Sequence, residues 1–189
     1  MTTALRWIVA ITAIIAPTLH LLSDVLEWTI GGFSRIPLLI NYAGFLPIPF
    51  LMLGLYAYQR PRIGWIGLIG SVLYGIAFIY FAHTTLIALE QSIPDYEPLW
   101  RQLVGVYTFH GGLMVAGGVM FGIDSLRAQV LWRGAVSLFI IGIMLNLGVA
   151  LLPLPDILKI LGSLVRNLGL IAMGMSVMRK PIVLPQAVT

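Results

Sequence analysis

A chain of 189 residues that is 59% hydrophobic and only 10% charged, with a mean hydropathy of +0.99, cannot be an ordinary soluble domain: those carry roughly 25% charge, and a core of this size could not hide so much apolar surface. The net charge of +4 comes without any basic run that could track a phosphate backbone, so nucleic acid is excluded as a partner. The absence of cysteine excludes dithiol chemistry, thiolate metal sites, iron–sulfur clusters and covalently attached c-type haem.

A membrane-crossing helix needs about 20 apolar residues, and six stretches qualify in chain order. The first, 5–28, begins like a signal peptide but lacks a small-x-small cleavage site and runs on past Pro17, so it reads as a retained helix. Gly31 and Gly32 break the chain before 36–58, which Pro47 and Pro49 interrupt. Arg60, Pro61 and Arg62 form the next turn. The span 63–89 carries Gly67, Ser71 and Gly75 at four-residue spacing, a small-residue ridge for close helix approach. Pro94 and Pro98 resist helix in the connection 91–102, where Tyr96 and Trp100 suit an interface; this connection is expected to cover the mouth of the bundle. The remaining spans are 103–123, with a second ridge at Gly118 and Gly122, then 130–152 and 157–178, separated by the segment 124–129 and by a turn at 153–155. Backbone groups in lipid must be satisfied within each segment. The expected architecture is therefore all-α: one transmembrane domain over 1–189, a polytopic six-helix bundle.

Flanking charge orients it. Arg6, Arg60, Arg62, Arg127, Arg133, Arg179 and Lys180 fall on one side, and Arg35, Arg101 and Lys159 on the other. The basic side is cytoplasmic, which puts both termini inside, in the plasma (inner) membrane. Acidic residues agree: Asp24, Glu27, Glu90, Asp95, Glu97 and Asp156 lie outside, and Asp124 alone lies inside. Trp7, Trp65 and Trp132 mark the inner interface, Trp28 and Trp100 the outer.

Ionisable residues within a span are costly and face the interior. His20 lies eight positions before Trp28, roughly 12 Å, and His83 seven before Glu90, roughly 10 Å. His110 lies ten after Trp100, up to roughly 15 Å. All three histidines are thus at similar depth in the outer half, with Asn41, Asn146, Arg166 and Asn167; the inner half holds almost nothing comparable. His20, Asp24 and Glu27 share one helical face, and His83 continues the Gly67–Ser71–Gly75 ridge by two steps of four, which aims it inward. Arg166 stays charged and needs a partner; Asp24 and Glu90 are the candidates. Met114, Met120, Met144, Met173, Met175 and Met178 read as core filler or lipid-facing residues. Bland readings stand beside these: carboxylates near helix ends reach interfacial water, and a single histidine is usually an interhelical hydrogen-bond partner.

Three kinds of chemistry follow. Asp24, His20, His83 and His110 form an acid–base set for a membrane-embedded enzyme acting on a lipophilic small molecule, with Arg166, Glu27, Glu90, Asn41 and Asn146 binding it. His20, His83 and His110 could instead ligate zinc or non-haem iron, and two of them a b-type haem. In outline, a six-helix chain of this length also resembles the substrate-binding subunits of vitamin uptake transporters, a resemblance of helix number and size that implies capture of an external solute. A fourth reading makes the polar residues helix locks. Intramembrane hydrolase signatures are missing: Gly32-Phe33-Ser34-Arg35 lacks the final glycine of a rhomboid-like motif, there are no adjacent glutamates, and Lys159 is too near the surface for a retinal Schiff base.

Overall fold

A computed structural model describes residues 1–152 and 156–179, except the side chains of Asp156, Ile157 and Lys159. The expected turn at 153–155, the placement of Lys180 and the surface positions expected for the Asp156 and Lys159 side chains lie outside what is described. Among the described residues there are eight helices and no strand: α1 (Thr3–Ile30), α2 (Arg35–Phe45), α3 (Ile48–Gln59), α4 (Trp65–Glu90), α5 (Tyr96–Gln102), α6 (Val104–Ala128), α7 (Arg133–Leu151) and α8 (Asp156–Met178). Counting α2 and α3 together, six segments are long and apolar enough to cross a membrane.

Each boundary has a local cause. Thr2 accepts the Leu5 N–H to start α1. Gly31 ends it at φ 80°, a left-handed conformation that glycine adopts freely, while Gly31 and Gly32 N–H both reach the Glu27 carbonyl. Pro17 removes one ladder bond without ending α1; the Thr18 hydroxyl donates to the Ile14 carbonyl at 2.6 Å just below it. The second span is split at Leu46 and Pro47, with Pro49 in the first turn of α3, where a missing N–H costs nothing. The same argument corrects the reading of 91–102. Pro98 is the third residue of α5, still in the first turn, and Asp95 caps that helix through the Glu97 N–H at 2.9 Å.

Substantial contacts follow chain order: α1 packs on α2 and α3, these on α4, α4 on α6, α6 on α7, α7 on α8, and α8 closes back on α1. The six spans form a ring. Its interior is filled by Ala13, Met52, Tyr74, Phe78, Phe121, Phe139, Leu170 and Met173, all nearly or fully buried. Glycine allows the closest approaches. A Cβ on Gly70 would stand 2.4 Å from the Phe121 amide nitrogen, and one on Gly142 only 2.2 Å from that of Arg166. Outward faces are apolar as well, with Phe50 76%, Ile8 61% and Ile79 58% exposed, the surface expected of a bundle whose solvent is lipid.

The end opposite α5 is less plain than expected. Asp124 is buried there, and one of its oxygens accepts the Gly64 and Gly67 N–H groups at 2.8 Å each, capping α4 from α6. Beside it Gln59 donates to Ser125 Oγ at 3.0 Å. Read from sequence, Asp124 is only a topology marker; folded, it ties α6 to the start of α4.

Candidate functional site

The site is built on α1 and α8, where the ring closes. His20 and Asp24 are one turn apart on α1, and Nε2 of His20 lies 3.5 Å from Asp24 Oδ1. The other ring nitrogen, Nδ1, is 3.3 Å from Arg166 Nη2. A guanidinium has only donors, so Nδ1 must present its lone pair, and the ring hydrogen sits on Nε2 facing the carboxylate. Ser163, one turn before Arg166 on α8, donates to the second Asp24 oxygen at 2.6 Å, and Asn167 donates to Ser163 at 3.3 Å. The resulting chain runs Arg166–His20–Asp24–Ser163–Asn167.

Arg166 is almost fully buried. Its Nη1 donates to Met114 Sδ at 3.1 Å, its Cζ lies 5.7 Å from the Phe78 ring centre, and its Nε has no hydrogen-bond partner. Asp24 is thus its counterion, but not by direct contact: among the described residues, Arg166 meets no carboxylate, and the neutral imidazole stands between the two charges.

The other expected members are placed as follows. His83 is on the outer surface of α4, not in the interior. The reason is geometric: a row of residues four apart gains about 40° per step on an α-helix, so the row Gly67, Ser71, Gly75 has swung outward by Ile79 and His83. The buried side of α4 continues instead through Tyr74, Phe78, Ala82 and Thr85. Glu90 is exposed and joins nothing in the site. His110 is fully buried, but among aromatic rings: 4.1 Å from Phe81 and 4.7 Å from Tyr107 between ring centres. Apart from a contact with the Ala77 backbone, its nitrogens lack well-formed hydrogen bonds. Glu27 bonds to Ser23 at 2.8 Å, whose hydroxyl is also 2.9 Å from the Pro37 carbonyl, a link between α1 and α2. Asn41 is half-buried with its oxygen unpartnered, and Asn146 packs against Gly162 of α8.

The three histidines therefore do not share one space. Phe45 and Phe81 stand between the two buried ones, with ring-centre separations of 4.7 Å for His20–Phe45, 5.6 Å for Phe45–Phe81 and 4.1 Å for Phe81–His110. A porphyrin needs an open slot between its axial ligands, and two phenyl rings fill it. Nor, among the described residues, do three His, Asp or Glu side chains converge as a zinc or iron ion would require. The donor set fits neither group.

Four participants could not be picked out from spacing alone. Ser163 and Met114 are ordinary in a membrane helix, and Met114 reads as filler. Tyr74 and Ser23 are uncharged. Periodicity offers one signal, since Ser163, Arg166 and Asn167 are spaced i, i+3, i+4 and share a face.

The α5 connection does cover this end. Tyr96 and Trp100 each lie 5.4 Å from Tyr107 between ring centres, and Tyr107 lies against His110. Two shallow cavities, of about 350 and 500 Å³, sit among the loops at the same end, one beside Arg35 and the other beside Arg101. Neither is lined by His20, Asp24 or Arg166. Comparison with known proteins finds no match for this chain among protein families, curated proteins or solved structures.

Proposed function

We propose that the six helices cross the plasma membrane with both termini cytoplasmic, and that the Arg166–His20–Asp24 relay is an acid–base site acting on a lipophilic substrate. Charge asymmetry of the connections, tryptophans near the helix ends and the apolar outward surface support the first part. One observation carries the second: a buried guanidinium and a half-buried carboxylate are separated by an imidazole, hydrogen-bonded to the first at 3.3 Å and 3.5 Å from the second. A pair serving only to lock helices would gain most from direct bidentate contact. Here guanidinium donors are left over and the imidazole has a base on one side and a cation on the other.

That arrangement can move a proton. When the guanidinium turns Nη2 from His20 toward a substrate oxygen, the Nδ1 lone pair is free to take a proton from substrate carbon or oxygen. The Nε2 hydrogen then passes to Asp24, which Ser163 holds in place. Return of the proton at another position completes an isomerisation, and nothing is oxidised or reduced. The low dielectric around the relay strengthens each of these interactions.

The test uses the full chain in lipid nanodiscs incubated with a total lipid extract in heavy water. Deuterium entering lipophilic molecules is read by mass spectrometry. The intact chain should label a discrete species, and His20→Gln and Asp24→Asn should not. Equal labelling by both variants, or no labelling above empty nanodiscs, refutes the reading.

A further inference from the structure

Around Phe78, two buried hydrogen-bond donors have no acceptor among the described residues. Arg166 is 4% exposed and Tyr74 is fully buried, yet among the described residues neither Arg166 Nε nor the Tyr74 hydroxyl has a partner. Such groups are rare because each orphan costs the full price of leaving water. They are also close neighbours in the fold. Both lie against Phe78: the Tyr74 ring stacks on it with centres 4.9 Å apart, and the Arg166 Cζ stands 5.7 Å from its centre. The helices agree in height, since a Cβ on Gly118 of α6 would meet both Tyr74 of α4 and Ile143 of α7, and one on Gly142 of α7 would meet the Arg166 backbone. The remaining walls, Phe78 and Phe139, are hydrocarbon.

What completes such a place is an acceptor atom on an apolar body. Charge decides between an anion and a neutral oxygen. Arg166 is already balanced by Asp24 across His20, so a carboxylate or phosphate would leave a net negative charge in the core, which desolvation disfavours. A carbonyl oxygen adds none. The geometry points to a neutral lipophilic carbonyl compound as the ligand of this site, held by its oxygen between Arg166 Nε–H and the Tyr74 hydroxyl and admitted from the hydrocarbon between α6 and α7.

The route follows from where those two helices touch. Gly118 meets Ile143 and Gly122 meets Ile140, both toward the Asp124 end. Toward the α5 end Gly111 and Gly148 are half-buried and Gly112 is exposed, and a Cβ on any of them would meet nothing within 4 Å, so none of the three packs tightly on a neighbouring helix. One turn further along α6 stands Met114, an unbranched and flexible side chain whose sulfur contacts Arg166. Of the α6 side chains, Met114 is the one hydrogen-bonded to the guanidinium, so a ligand arriving from that side displaces it.

The inference rests on the site being one for lipophilic molecules, and its test separates the two claims. The probe is a long-chain methyl ketone with an isotope-labelled carbonyl, added to the chain in nanodiscs and followed by infrared difference spectroscopy. Binding should be saturable and lower the carbonyl stretching frequency. Tyr74→Phe keeps the ring and removes only an unpartnered hydroxyl, so it should fold normally, bind about tenfold more weakly and lose part of the shift. Gly111→Leu should slow association without changing the shift. A long-chain alkane or carboxylate should compete poorly. Equal affinity and an equal shift in Tyr74→Phe, or stronger binding of the carboxylate, overturns the inference even where deuterium labelling supports the acid–base reading. Ketone binding as described, with no labelling in heavy water, upholds it and sinks that reading instead.

Discussion

Asp124→Ala tests the fold where the structure is most explicit. One carboxylate oxygen accepts two backbone N–H groups of α4, at 2.8 Å each, within a buried contact. Replacing a capping side chain by alanine costs about 0.5–2 kcal/mol in general. Here Gly67 N–H is left buried and Gly64 N–H half-buried, and an orphaned buried donor costs about 1–3 kcal/mol. The expected loss is thus about 2–4 kcal/mol. Asp124→Asn retains an acceptor oxygen and loses only charge assistance, so about 1 kcal/mol is expected. Reversible unfolding by sodium dodecyl sulfate in mixed micelles measures both. Ketone binding should persist in the folded fraction of each variant, because Asp124 lies at the far end from Arg166. If the alanine variant unfolds within about 0.5 kcal/mol of the parent, or the asparagine variant is equally damaged, the capping account is wrong.

Gly142→Ala should destabilise by about 3 kcal/mol or more, because its Cβ would fall 2.2 Å from the Arg166 amide nitrogen and part α7 from α8; Gly148→Ala, with nothing within 4 Å, should be neutral or gain up to about 1 kcal/mol from helix propensity. Thermal melts in detergent compare them, and a reversed order contradicts the packing. His83→Phe should leave folding and deuterium labelling unchanged, since His83 is exposed on α4; loss of labelling would return His83 to the site. Single cysteines at Asp95 and Arg127 should react with an impermeant thiol reagent from opposite sides of a sealed vesicle, and reaction from the same side would contradict the six-span topology.

Helix positions are legible because each apolar run long enough to cross a membrane ends near a Gly, Pro or charge cluster that can be read directly. Direction within a helix is less so. His20 with Asp24 needed only i, i+4 spacing, and Arg166 needed only its depth. His83 misleads because a four-residue row was treated as straight over sixteen residues, whereas it winds around the helix. Which helices meet is not written in periodicity at all. Only the ring order brings Ser163 to Asp24 and Met114 to Arg166, 139 and 52 positions away in sequence. Pro98 shows a smaller limit, since a proline says where a helix cannot continue and equally where one can begin.

The closure of the ring has a temporal side. Each span packs on its predecessor, so most of the bundle can assemble helix by helix in chain order. The relay cannot: His20 and Asp24 lie on α1 and wait for Ser163, Arg166 and Asn167 on α8. Until then α1 keeps its imidazole and carboxylate waiting without a cation, and α8 brings a guanidinium that hydrocarbon will not hold alone. The same bonds that make the site also make the final seam, and a chain stopped short of α8 has neither. The contact between Arg166 and His20 is therefore a report that α1 and α8 have found each other.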